Sequence, residues 1–126
     1  MILGMEIKVL ICDDDRDFLS FYKLALEELG MIVYPREHCR KIVEMLDEIQ
    51  PDVILMDNWI PDAGGIVTTR LIKNHPSYKD IPVLYISANP DTKILANEAG
   101  ADSYLVKPFD IMTLKASIMQ LCDSKL

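Results

Sequence analysis

The sequence predicts an α/β domain: a five-stranded parallel sheet, doubly wound, with helices on both faces. Apolar runs of four or five residues, the length of a buried parallel strand, alternate with segments whose apolar residues recur every three or four positions. Each of four runs ends at a group that titrates or can bind phosphate. Val9–Cys12 meets Asp13-Asp14-Asp15, Val53–Met56 meets Asp57, Val83–Ile86 meets Ser87, and Tyr104–Val106 meets Lys107-Pro108. A chain of 126 residues is one domain of ordinary size.

The first strand reads as Ile7 to Cys12. Phe18, Tyr22, Ala25, Leu26 and Leu29 then form one buried helix face, which Gly30 stops. Met31 to Tyr34 is a short second strand ended by Pro35. Cys39, Ile42, Val43, Leu46 and Ile49 repeat the helical stripe, and Pro51 closes it. Val53 to Met56 is the third strand. A loop with Pro61, Gly64 and Gly65 leads to a helix over Ile66 to Asn74, and Pro76 and Pro82 bracket a surface loop. After the strand Val83–Ile86, Pro90 fits a helical first turn, where its missing N–H costs nothing, and Gly100 ends that helix. Ser103 to Val106 is the fifth strand. Asp110 caps a last helix with the stripe Ile111, Leu114, Ile118 and Leu121.

Right-handed crossovers and helices on both faces require one reversal of winding. The flavodoxin-like strand order 2-1-3-4-5 meets this, and its binding crevice lies beside strands 1 and 3. Those strands end at Asp13-Asp14 and Asp57.

Half the residues are hydrophobic and the formal net charge is -7. An acidic chain lacks the basic patch that direct nucleic-acid or anionic-membrane binding needs. No apolar stretch reaches the roughly 18 residues of a membrane span. Met1–Met5 is too short and lacks the positive flank of a signal peptide. Cys12, Cys39 and Cys122 are odd in number and widely spaced, and read as reduced thiols of a cytoplasmic protein.

Three acids brought together repel and raise one another's pKa. A hard divalent cation relieves this, and Mg²⁺ suits a site of few carboxylates that also takes a phosphate oxygen. Helix capping would explain one of Asp13–Asp15, but not three acids together with Asp57. Asp57 is the candidate nucleophile, since a carboxylate can accept a phosphoryl group. Lys107 can offset charge on the transferring oxygens. A cis Lys107-Pro108 bond would fix its turn. The Ser87 hydroxyl either donates to a phosphate oxygen or caps a turn.

Rival motifs fail on spacing. Asp13, Asp15 and Asp17 match an EF-hand start, but Phe18 stands where glycine is needed and Leu24 where glutamate is needed. The acidic loop after strand 1 would repel the phosphate of a flavin. A haloacid-dehalogenase-type phosphatase wants an acid at Trp59. His38 and His75 lie outside the cluster and read as solvated.

At these residues the chain resembles the receiver domain of two-component response regulators. The resemblance rests on Val-Leu-Ile-Cys-Asp-Asp at 9–14, Asp-Val-Ile-Leu-Met-Asp at 52–57, Pro61 with Gly65, Ile-Ser-Ala at 86–88 and Tyr-Leu-Val-Lys-Pro-Phe at 104–109. It implies a single receiver domain, 1–126, free-standing or excised from a larger protein. Asp57 would take phosphate from a sensor histidine kinase or a histidine phosphotransfer protein. Asp14 and Asp57 would ligate Mg²⁺ directly, Asp13 through water, and the Trp59 carbonyl would complete the protein ligands. Ser87 and Lys107 would bind the phosphoryl oxygens, and Tyr104 would be the aromatic switch.

The resemblance further implies self-catalysed phosphorylation and dephosphorylation rather than turnover of a separate substrate. It also implies a switched face for a downstream protein target and allows a phosphorylation-dependent homodimer. The alternative is a pseudo-receiver, an interaction module that is never phosphorylated. Departures from the family pattern are Ile60 for a common methionine, the bulky Trp59 and the neutral Asn89. Trp59 either shields the acyl phosphate or docks a partner.

Overall fold

The computed structural model describes residues 6–123, so Met1–Met5, read above against a signal peptide, lie outside the described residues. Five strands and five helices alternate: β1 (Lys8–Cys12), α1 (Arg16–Glu28), β2 (Ile32–Arg36), α2 (Ile42–Ile49), β3 (Val53–Asp57), α3 (Gly64–Lys73), β4 (Val83–Ser87), α4 (Thr92–Ala99), β5 (Ser103–Val106) and α5 (Ile111–Asp123). All neighbouring strands are parallel, and their order is β2-β1-β3-β4-β5, the flavodoxin-like winding.

Side-chain alternation along the strands splits the core in two. Leu10, Cys12, Ile54, Met56, Val83 and Tyr85 face one side, packing with Ile42 and Leu46 of α2, Ile72 of α3 and Ala96 of α4. Val9, Ile11, Val53, Leu55, Leu84 and Ile86 face the other, packing with Leu19 and Leu26 of α1 and Leu114 and Ile118 of α5. Because both faces are covered, β3 and β4 are buried at every position. That is why they read as unbroken apolar runs.

Helix ends follow the expected chemistry. Asp15 caps α1, its carboxylate accepting from the Asp17 and Phe18 N–H groups. Gly30, at φ 91°, lets its own N–H and that of Met31 turn back onto Glu27 and Leu26 carbonyls. Asp110 accepts from the Thr113 N–H at 2.7 Å and so starts α5. Asp102, at the start of β5, accepts from the Val83 N–H and from the Lys73 ammonium, each at 2.8 Å, tying α3, β4 and β5 together.

Some boundaries differ from the sequence reading. β2 runs through Pro35 to Arg36 instead of stopping before it. β2 is an edge strand with a neighbour on one side only, where a residue without an N–H is tolerated. Pro90 lies in the turn before α4, which begins at Thr92. Cys39 precedes α2 yet is buried in its core, whereas Val43 of the expected stripe is exposed. Cys12, Cys39 and Cys122 are buried and form no disulfide among the described residues. The neighbouring Cys39 thiol and burial push Cys12 well above the usual thiol range, which leaves it an unreactive core group. No helix among the described residues is long and apolar enough to cross a membrane.

Candidate functional site

The winding reverses between β1 and β3, and the acids gather at their C-terminal ends. Asp13 follows β1 and is 1% exposed, while Asp57 ends β3 and is 5% exposed. Asp14 is exposed beside them. Among the described residues, carboxylate oxygens of Asp13, Asp14 and Asp57 lie within 4.8 Å of one another. The Lys107 ammonium enters from the end of β5 and bonds both buried acids, at 3.0 Å to Asp13 Oδ2 and 2.9 Å to Asp57 Oδ1. It also sits 4.3 Å from the centre of the Phe18 ring. The Lys107-Pro108 bond is cis.

The backbone satisfies the remaining carboxylate oxygens. The Asp15 N–H donates to Asp13 Oδ1 at 2.9 Å, and the Trp59 N–H donates to Asp57 Oδ2 at 2.8 Å. Ser87 ends β4 between the two poles: Asp57 is in register with Ile86, and Ser87 with Val106. The Lys107 N–H donates to the Ser87 carbonyl at 2.8 Å, and the Ser87 hydroxyl accepts from the Asn89 N–H at 2.9 Å. The structure therefore brings together Asp13, Asp14, Asp57 and Lys107, while Asp15 caps α1. Ser87 lies on the same edge. Tyr104 stands on β5, in register with Tyr85, and is 38% exposed. Trp59 is 74% exposed. His38 and His75 lie outside the cluster and are half-buried rather than solvated.

Charge dominates this edge. Burial raises the Asp13 pKa, and the nearby Asp57 charge adds to that, against the Asp15 N–H and Lys107 which lower it. Burial would depress Lys107, but its two bonded carboxylates outweigh this and raise it. Three carboxylates face one ammonium, so two negative charges remain uncompensated when all are ionised. Hard oxygens in this number and spacing fit a divalent cation of the Mg²⁺ kind.

Two residues of the site carried no sequence signal for it, and a third, Gly65, carried one without its physical reason. Phe18 read as part of an apolar stripe, yet its ring borders Lys107. Tyr85 read as one residue of a buried strand, yet its hydroxyl donates to Asn58 Oδ1. Gly65 was noted as part of a motif, and the structure supplies its reason. A Cβ there would stand 2.5 Å from the Asp57 carbonyl oxygen and 3.0 Å from the Asn58 Cα. Only glycine lets the start of α3 close this tightly over the end of β3.

A flavodoxin-like sheet with acids and a bonded lysine at its switch point is the architecture of a signalling receiver. The family model for the response regulator receiver domain matches residues 9–119, and the chain belongs to that family. It is 36% identical over 112 residues to the KDP operon transcriptional regulatory protein KdpE of Escherichia coli, covering 87% of this chain and 48% of that protein. It is 32% identical over 108 residues to the CAI-1 autoinducer sensor kinase/phosphatase CqsS of Vibrio cholerae, covering 83% of this chain and 16% of that one. The chain thus spans less than half the length of these relatives. Among solved structures, the receiver domain of Francisella response regulator 1452 superposes with a TM-score of 0.85 at 28% identity, covering 96% of this chain and 100% of that one. The chemotaxis response regulator CheY4 of Vibrio cholerae gives 0.83 at 25% identity, covering 93% and 99%.

Two expectations follow from the packing and charge. Gly65→Ala should lower stability by about 2–4 kcal/mol, read by urea denaturation, because backbone rather than a flexible side chain opposes the new methyl. For Asp13 the folded pKa is raised, so its contribution is present below the unfolded value of 3.8 and is lost as pH rises through the folded one. In Mg²⁺-free buffer at pH 7, Asp13→Asn should therefore raise Tm. The gain should shrink as pH falls towards 3.8. A Tm difference that is unchanged or grows on acidification contradicts the assignment.

Proposed function

We propose that this chain is the phosphoacceptor of a two-component relay, with Asp57 as the acceptor. The carrying observation is the state of the Asp57 carboxylate. It is buried at the switch point, with one oxygen on the Lys107 ammonium and the other on a backbone N–H. A carboxylate so held is fixed in direction and has its charge partly offset, which suits attack on phosphorus.

In the proposed transfer an Asp57 oxygen forms a bond to phosphorus while the phosphorus–nitrogen bond of a phosphohistidine breaks. The electron pair stays on the departing imidazole, which picks up a proton. The donor is a sensor histidine kinase or a histidine phosphotransfer protein. Asp13, Asp14, Asp57 and the Trp59 carbonyl would hold Mg²⁺, which when bound offsets charge on the transferring oxygens. Lys107 has two acids to bond before transfer. Afterwards the Asp57 carboxyl no longer carries a charge of its own, and the negatively charged phosphoryl oxygens of the acyl phosphate compete for the same ammonium. The Ser87 hydroxyl, on the same edge, supplies a further donor. A displacement of Ser87 towards the phosphoryl group would be transmitted along β4 and β5 to Tyr104, and so to the face that a downstream protein reads. A net charge of -7 favours a protein partner over direct nucleic-acid contact.

Incubation with acetyl phosphate and Mg²⁺ should add one phosphoryl group, read by intact mass and by loss of the label in hydroxylamine. Asp57→Asn and removal of Mg²⁺ should each abolish it. Beryllofluoride with Mg²⁺ should also change the fluorescence of Trp59, the chain's one tryptophan. A wild-type protein that takes no phosphoryl group and gives no beryllofluoride response would instead be a pseudo-receiver that acts by binding alone.

A further inference from the structure

The loop after the acceptor is pinned at a residue that the transfer itself does not use. Asn58 directly follows Asp57. Its N–H donates to the Ile86 carbonyl at 2.9 Å, and its carbonyl accepts from the Gly65 N–H at 3.1 Å. Its side-chain oxygen accepts from the Tyr85 hydroxyl. Three elements, β3, β4 and the start of α3, thus converge on one residue.

Tyr85 is fully buried in β4, flanked in register by Met56 on β3 and Tyr104 on β5. Burial, with the charges of Asp57 and Glu98, pushes its phenol up to about 12, so near neutral pH it remains a donor. A tyrosine that only filled the core would need no partner beside the acceptor. Here the hydroxyl reaches the one side chain between Asp57 and Trp59. Asn58 and Trp59 also line a cavity of about 640 Å³ between the β3–α3 loop and α4, so this side of the loop faces open space rather than packed atoms.

We propose that Tyr85 is a positioning residue of the Asp57 site: its hydroxyl fixes Asn58, and through Asn58 the direction in which the Trp59 N–H meets the acceptor carboxylate. With the bond intact the loop holds one Asp57 Oδ2 on a backbone donor. Without it, Asn58 keeps only its backbone bonds and the Trp59 segment can turn towards the cavity. The part of the proposal that concerns phosphoryl lifetime rests on Asp57 being the acceptor. The part that concerns loop order does not.

The test uses Tyr85→Phe, which keeps the ring and its packing, Asn58→Ala, and the double variant. In the unloaded protein, Trp59 anisotropy decay and acrylamide quenching should show a more mobile, more accessible loop in each single variant. The double variant should show no further change. After loading with acetyl phosphate and Mg²⁺, the acyl phosphate decay rate should change by about three- to tenfold in each single variant, the reach of one hydrogen bond, and equally in the double. The proposal is overturned if Tyr85→Phe lowers Tm but leaves Trp59 mobility and the decay rate within about twofold. It is also overturned if the two single effects add, since independent residues do so. A wild type that takes no phosphoryl group refutes the acceptor reading, and the Trp59 measurements on the unloaded protein still decide the role of Tyr85.

Discussion

One ammonium between two buried carboxylates is the contact on which the functional edge depends. Asp13 and Asp57 arrive from strands separated by more than forty residues of sequence, and both are withdrawn from water. Two unpaired carboxylates in that position would be costly. Lys107, delivered from the far side of the sheet by β5, bonds both at about hydrogen-bond distance. Every strand thus contributes to the edge that this contact organises: β1 and β3 the acids, β2 the Arg36 carbonyl that receives the Asp13 N–H, β4 the carbonyl that receives the Lys107 N–H, β5 the lysine. The compensation is incomplete, because Asp14 adds a third acid. An excess of negative charge in a dry, oxygen-lined place is a standing demand for a cation, and a phosphoryl oxygen can follow that cation into the site.

Much of this was legible in the sequence because the relevant signals are one-dimensional. β3 and β4 are buried on both faces, so they appear as Val53–Met56 and Val83–Ile86 without interruption. The polar residue that stops each run is the residue at the sheet edge, so the strand pattern alone puts Asp13, Asp57, Ser87 and Lys107 on that edge. The errors have equally definite causes. Pro35 was read as a terminator, but a proline ends a strand only where its N–H would have been needed, and on the β2 edge it is not. Val43 fitted the period of α2 yet points outward, since a run of eight helical residues constrains the buried face only loosely.

The roles of Tyr85, Phe18 and Gly65 were hidden for a different reason. Each looks ordinary in its own segment and acquires meaning only from a residue on another one. The Tyr85 hydroxyl matters because of Asn58 on β3's far end, the Phe18 ring because of Lys107, and the missing Cβ of Gly65 because of the Asp57 carbonyl. Such close approaches are fixed by how α1 and α3 settle on the sheet, and no periodicity within a single segment encodes that.

The same arrangement sets what a signal at Asp57 can do. The end of β4 is shared: the Ile86 carbonyl takes the Asn58 N–H from the acid side, and the Ser87 carbonyl takes the Lys107 N–H from the cation side. A change at either pole therefore acts on one short piece of backbone. A chemical change at Asp57 can shift the domain only by the difference between its interactions in the two arrangements. The largest such difference a phosphoryl group would bring here is the exchange of one carboxylate charge on the Lys107 bridge for the greater negative charge of its oxygens. Lys107 is bonded to Asp57 directly, whereas Tyr104 lies two strands away, its register pairing it with Tyr85 on β4. The strand order thus puts Asp57 at the end of β3 and Tyr104 on β5, with the fully buried β4 between them.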